Sequence, residues 1–489
     1  MKNINIKARK HLLLKVAFLA IPFTFTACDV DELINPVPET SISDVNAFDT
    51  PERILGQVNG LYRAVKDGRF YGGRVIVYND IRGEEFINRL TNGVTGLQTW
   101  QHNLNAGTNE VENLWGSAYA AINRINVFLK GLDDNAAKID PALLAQYRGE
   151  AKFLRALAYH SLITLYAKPY NADNGASPGV PLRLQAETST ANNDLARSSV
   201  KVVYDQILKD LNEAEGSLPL TYPSATLNVT RAHRNTAIAL KTRIYLHMGN
   251  YAKVVEESKK IVSDTAPFKA TTGVQHQLQA SVATPFATPT TTESVFSLPM
   301  TEQDIPGTQN QLGYYFNAPP VGNGEYYLNP SGILGDTEWR AQDERRTNFV
   351  VTAGSLTYYK KFSKPAPFTD FVPVIRYAEV LLNYAEAAAR TNDLVKATTL
   401  LNAVRTRSDA TYVFPATSIA TQPALIATIL KERRIELLAE GFRSLDITRT
   451  VSAFPEKSGS GLTAPRVEPT SPEYVWPMPN SEIATNKLL

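Results

Sequence analysis

Apolar residues in the stretch 374–407 fall at helical spacing. Ile375, Ala378, Leu382, Ala385 and Ala389 recur every three or four positions, which places them on one face of an amphipathic helix. After the polar break Thr391-Asn392-Asp393, the pattern resumes with Leu394, Ala397, Leu400, Leu401 and Val404, so a second helix folds back on the first. The same hairpin is written at 239–262, where Gly249-Asn250-Tyr251 aligns with Asn392-Asp393-Leu394. Further helices are predicted from Pro51, with Thr50 as N-cap, across 111–130, from Asp140-Pro141 to just before Pro169, and over 200–217.

Repetition of a helical hairpin with small residues on its first helix predicts a mainly α, tetratricopeptide-like solenoid. Two unrelated helix pairs in an ordinary bundle would give the same local pattern. Between the helices lie three segments with little helical periodicity, near 67–110, 168–199 and 266–363. They read as long loop and short-strand insertions forming the ligand side of the scaffold, and Ser294-Val295-Phe296-Ser297-Leu298 has the alternation of a short strand. One domain with insertions, 50–489, accounts for the remaining length.

Composition narrows the function classes. The chain has 489 residues, 43% of them hydrophobic, and 50 basic against 48 acidic residues leave a net charge of +2. Lys and Arg alternate with Asp and Glu instead of forming the basic stripe that offsets phosphate, so nucleic acid is not an expected partner. The six His lack paired-ligand spacing and no Gly-rich phosphate loop is present. Neither a metal nor another cofactor is expected, and no catalytic constellation stands out.

The N-terminus is different in kind. Lys2, Lys7, Arg9, Lys10 and Lys15 precede the apolar run 16–23, which is too short to span a bilayer and fits a signal peptide over 1–27. It ends Phe25-Thr26-Ala27-Cys28, which resembles a bacterial lipobox with Phe in place of the more usual Leu. Cys28 is the single cysteine, so no internal disulfide is possible, and its thiol is the expected lipid attachment point. Residues 28–49, with Pro36 and Pro38, read as the tether of a lipid-anchored protein.

Four motifs in order identify a family resemblance: GEAKFLRALAYHSLITLYAKPY at 149–170, RYAEVLLNYAEAAAR followed by LNAVRTR, ERRIELLAEGFRSLDITR at 432–449, and PMPNSEIATNKLL at the end. Together they closely resemble the SusD/RagB family of outer-membrane nutrient-binding lipoproteins. That resemblance implies a surface-exposed protein of the cell outer membrane that captures oligosaccharide and hands it to a SusC-like TonB-dependent β-barrel transporter. Asp29, Asp31 and Glu32 after the cysteine resemble an acidic surface-export signal. Within the family a peptide ligand, as in RagB-type proteins, is the alternative; a non-transport scaffold is the alternative outside it.

The resemblance also points to ligand-binding residues. Trp100 and Asn103, with Asp80 and Arg82 upstream, match the arrangement that starch-binding members use. An aromatic ring covers the C–H face of a sugar while amide, carboxylate and guanidinium groups meet its hydroxyls. Tyr314, Tyr315, Tyr326, Tyr327 and Trp339 are further candidates from the large insertion. If the tyrosine pairs lie in strands, only one of each pair can face a ligand. Packing of Trp100 against the scaffold, with Asp80 pairing locally with Arg82, is the competing reading, and Trp339 sits in an Asp-x-Arg region read as structural. The charges Arg376, Glu379, Glu386, Arg405, Glu432, Arg433, Arg434, Glu436 and Glu440 could suggest glycosidase carboxylates, but their helical spacing predicts interlocking ion pairs. The anchor gives a direct expectation: Cys28→Ala moves the protein from the membrane to the soluble fraction, and continued fractionation with the outer membrane contradicts it.

Overall fold

Capping side chains set where the helices begin. The computed structural model describes residues 46–489, apart from the side chain of Asn192; the signal peptide, Cys28 and most of the tether 28–49 lie outside the described residues. The Thr50 hydroxyl accepts from the Arg53 amide to start α1 (Pro51–Val65), with Pro51 at the first helical position. The chain continues through α2 (Arg74–Ile81), α3 (Leu97–Gln101) and α4 (Asn109–Asp134). Asp140 accepts from the amides of Ala142 and Leu143 to open α5 (Pro141–Tyr166), and Ser199 caps α6 (Val200–Ser217). Both helices keep the bounds predicted from their apolar spacing.

The two helical hairpins have the same turn. Between α7 (Arg234–His247) and α8 (Tyr251–Ile261), Gly249 has φ 67° and Asn250 has φ −87° and ψ 71°. Between α9 (Tyr377–Arg390) and α10 (Leu394–Ser408), Asn392 has φ 67° and Asp393 has φ −89° and ψ 73°. In each, the second of these residues caps the next helix, Asn250 accepting from Lys253 and Asp393 from Lys396. Ala385 and Ala389 are fully buried, as close packing of the first helix requires. The hairpins stack on each other: Arg243 on α7 makes a two-point ion pair with Glu379 on α9 at 2.6 Å, and Leu246, Val254 and Ala387 share an apolar contact. This repeat-on-repeat packing is what the solenoid reading requires.

One boundary differs from expectation. Val374 and Ile375 do not belong to the helix that follows; they lie in the strand β8 (Val372–Arg376), which pairs antiparallel with β4 (Ser294–Leu298), the strand predicted in the large insertion. The Pro at 373 and the run of β-branched residues favour extended backbone, so the helix starts at Tyr377. Strand pairing here is local. Among the described residues the sheets are two-stranded: β1 (Phe86–Asn88) pairs with β5 (Tyr326–Leu328), β2 (Pro178–Pro181) with β3 (Arg197–Ser199), β6 (Val350–Ala353) with β7 (Leu356–Tyr359), and β9 (Lys457–Gly459) with β10 (Leu462–Ala464).

α11 (Gln422–Glu436) and α12 (Arg443–Arg449) complete the C-terminal bundle. α11 ends at Glu436, five residues before Gly441. That glycine lies in the link to α12 at φ 82°, where a Cβ would meet the Ile76 backbone at 3.0 Å, so this close approach of the link to α2 requires glycine. The charges read as ion pairs are ion pairs. Glu293, Asp343, Glu432, Glu436 and Glu440 meet Arg345, Lys361, Arg376, Arg405 and Arg407 in one buried network. A second cluster joins Glu386 to Arg449 and Arg390, and Asp446 to Arg433 and Arg449.

Candidate functional site

The residues singled out between 80 and 103 do come together, but most of them form a foundation. Asp80 is 1% exposed; one carboxylate oxygen accepts from the Gly441 amide at 2.9 Å, the other from the Arg443 amide at 3.5 Å, and burial pushes its carboxyl up to about 7. It holds the link before α12 and does not pair with Arg82. Arg82, equally buried, donates to the carbonyls of Tyr474 at 2.9 Å and Glu473 at 3.4 Å and lies 4.3 Å from the centre of the Phe454 ring. Burial pulls its guanidinium down to about 10.

Trp100 has no exposed surface. Its indole N–H donates to the Phe86 carbonyl at 2.8 Å, and the Lys457 ammonium stands 5.1 Å from its ring centre, so the 457–464 hairpin covers it. The expectation that Trp100 and Arg82 present themselves to a sugar is therefore corrected: both are core, because α3 is short and its tryptophan turns inward under the hairpin. His102 next to it is buried against Phe454, at 5.1 Å, and burial pushes its imidazole down to about 2. Asn103 is the exposed member of the set.

The large insertion divides similarly. Tyr314 and Tyr315 lie in a short helix, Leu312–Phe316, not in a strand. Tyr315 is buried and donates to the Gln309 carbonyl at 2.6 Å, while Tyr314 is half-buried against Phe368. Tyr326 and Tyr327 are in β5, as expected of a strand pair, yet neither is free: the Tyr326 hydroxyl donates to the Thr95 carbonyl at 3.0 Å, and Tyr327 is 8% exposed with its hydroxyl 3.3 Å from Ser460. Trp339 is fully buried, with the Arg346 guanidinium 5.3 Å from its ring centre. Tyr315, Tyr326, Tyr327 and Trp339 are thus corrected to packing residues. An insertion this long needs its own apolar interior, and its aromatic residues supply it.

Above the foundation lie two grooves, one on each side of the 457–464 hairpin. The larger, about 670 Å³, is lined by Gln101, Asn103, Thr463, Arg466, Ser471 and Glu473 among others. The smaller, about 490 Å³, is lined by Asn329, Ser331, Glu456 and Ser458 and shares Thr463 and Pro465 with the first. The lining mixes amides and hydroxyls with the charged groups Arg466, Glu473 and Glu456 and the apolar Leu104, Pro465 and Val467, and it carries no exposed aromatic ring. The arrangement can hold a polyhydroxylated chain by hydrogen bonds, and Arg82 fixes the carbonyls of Glu473 and Tyr474 at one edge of the larger groove. Tyr314 does not line either groove.

The residues at 456–473 were missed by sequence reasoning. Their signal was present in SGSGLTAPRVEPTSP (458–472), a Gly-, Ser- and Pro-rich segment without periodicity that follows the last strongly helical motif.

Comparison with known proteins places this geometry. A family model described as "SusD family" matches residues 257–489, and one described as "Starch-binding associating with outer membrane" matches residues 38–246. The crystal structure of a SusD superfamily protein from Bacteroides fragilis is 34% identical, covers 91% of this chain and 99% of its own, and superimposes with a TM-score of 0.81. SusD-like protein P38 of Formosa agariphila is 23% identical over 96% of each chain. A laminarin-binding SusD-like protein, 19% identical and covering 90% of this chain and 98% of its own, shares the fold with a TM-score of 0.68.

Burial of Trp100 has a measurable consequence. Trp100→Ala is expected to destabilise the protein by about 3–5 kcal/mol in chemical denaturation, the cost of emptying a buried aromatic site. Unchanged stability would mean that the ring is not packed beneath the hairpin.

Proposed function

The chain belongs to the SusD family, and from that premise we propose that it is a glycan-binding lipoprotein of the outer membrane, without catalytic activity. In this reading a lipid on Cys28 holds it at the cell surface, and the grooves flanking the 457–464 hairpin capture an oligosaccharide for delivery to a partner TonB-dependent β-barrel transporter. The observation that carries the glycan reading is the lining of those grooves. Asn103, Gln101, Thr463 and Ser471 on one side and Ser331 and Ser458 on the other offer donors and acceptors suited to sugar hydroxyls. The starch- and laminarin-binding descriptions of related proteins support the same ligand class.

Isothermal titration of the soluble protein against laminarin, starch, other plant, host and microbial polysaccharides, and mixed peptides tests this. At least one glycan is expected to bind. Asn103→Ala and Ser471→Ala should each weaken that binding roughly five- to tenfold, the ~1–1.5 kcal/mol of a hydrogen bond to a bound ligand, while leaving stability unchanged. Binding of peptides with no glycan would leave a nutrient-capture role of the RagB type and overturn the glycan assignment.

A further inference from the structure

Each groove carries one free carboxylate. Glu473 in the larger and Glu456 in the smaller are exposed, and among the described residues neither side chain has a hydrogen-bond or ion-pair partner. Their places are set by the backbone. Glu473 sits in the short turn Pro472–Tyr474, whose Glu473 and Tyr474 carbonyls accept from Arg82. Lys457 turns inward to donate to the carbonyls of Ile81 and Gly83, which leaves the preceding Glu456 on the outward side of the extended chain.

The cations of the same region are withheld from a ligand. Arg466, exposed at the larger groove, pairs with Glu468 at 2.6 Å, so recruiting it to an anion would free a third carboxylate. Lys457 and Arg82 are buried, and His102 is buried and stays neutral. Beside Asn329, which donates to the Glu84 carbonyl at 2.8 Å, Arg434 and Arg443 are joined to Glu84 and Glu85. The unpaired charge that a ligand meets is therefore negative in both grooves. A carboxylate accepts hydrogen bonds from the hydroxyls of an uncharged sugar, whereas a uronate or sulfate group brings a like charge and no donor to meet it.

We propose that the grooves select uncharged glycans over acidic ones, with Glu456 and Glu473 as the specificity-determining residues. This rests on the reading of the grooves as the glycan site and names the chemical class of the glycan. Both carboxylates accept from sugar hydroxyls, and both repel a polysaccharide bearing carboxylate or sulfate groups. Because the two side chains are exposed, that repulsion weakens as salt shortens the screening length from about 10 Å at 0.1 M.

The test changes charge on one sugar backbone. The soluble protein is first titrated with uncharged laminarin, starch, mannan and galactan and with acidic alginate, polygalacturonate and carrageenan, and the tightest ligand is expected among the uncharged ones. That glycan is then lightly carboxymethylated, with a hydroxyethylated sample of equal substitution as the control for bulk. At low salt the wild-type protein should bind the carboxymethyl form roughly tenfold more weakly than the hydroxyethyl form. The paired variant Glu456→Gln, Glu473→Gln should narrow that ratio to about threefold or less, as should salt at about 0.5 M with the wild type. An unchanged urea midpoint, expected for two exposed side chains, shows that the variant keeps its fold. A tightest ligand that is acidic, a wild-type ratio near one, or a ratio that the variant does not narrow overturns the charge selection and leaves the glycan site intact. Binding of no polysaccharide, uncharged or acidic, overturns the glycan site and the selection with it.

Discussion

Glu436 lies at the end of α11 within 3.0 Å of three guanidinium groups, those of Arg345, Arg376 and Arg407. They come from three segments: the short helix after Trp339, the end of β8, and α10. Burial alone would raise the Glu436 carboxyl, but Arg407, Arg376 and Arg345 outweigh it and hold the group well below the usual carboxylate range. Each of these arginines also reaches another acid: Arg345 meets Asp343 and Glu432, Arg376 meets Glu293 and Glu440, and Arg407 meets Glu293. Such a cluster is tolerable in the interior only when complete, because removal of one member leaves its partners buried and unpaired. Completeness therefore fixes the large insertion, the stacked hairpin and the C-terminal helices in one relative arrangement.

The same constraint reaches the candidate site through the link after α11. Lys361 donates to the Glu436 and Leu438 carbonyls and to the Glu440 carboxylate, which fixes the chain just before Gly441. Asp80 then receives the amides of Gly441 and Arg443, and the Arg443 guanidinium reaches back to Glu84 at 2.9 Å. Thus α2 is joined to α12, and Arg82 and Trp100 become the base on which the 457–473 segment rests. Rigid support beneath exposed loop residues such as Thr463 and Ser458 is the arrangement expected where binding residues sit on loops carried by a stable scaffold.

The parts of the fold that could be read from the sequence are those with local signals. The turn pairs Gly249-Asn250 and Asn392-Asp393, the caps Thr50, Asp140 and Ser199, and the charged faces of α9 and α11 each carry their own physics within a few residues. α2 carries none. All eight of its residues are buried, so RVIVYNDI has no polar face to reveal a helical period. The site residues failed for a related reason. The resemblance located the right neighbourhood around Trp100 and Asn103, but whether a ring faces solvent depends on what packs over it, and the hairpin that covers Trp100 lies more than 350 positions away. Asn103 could be found because it flanks the tryptophan; Thr463 and Ser471 could be found only as part of an aperiodic Gly-, Ser- and Pro-rich run.

Urea unfolding of the wild-type protein and the Glu436→Gln variant across pH tests the central role of the ion network most directly. Glu436 stays ionised in the folded state at a pH where it takes up a proton when unfolded. Its contribution is therefore complete above the ordinary glutamate pKa of about 4.3 and is lost as pH falls from there toward the lower folded value. Glu436→Gln is expected to be less stable than the wild type by about 3–5 kcal/mol at pH 7, with the gap narrowing at pH 3. Equal stability at pH 7, or a gap that does not change between pH 7 and pH 3, would contradict it.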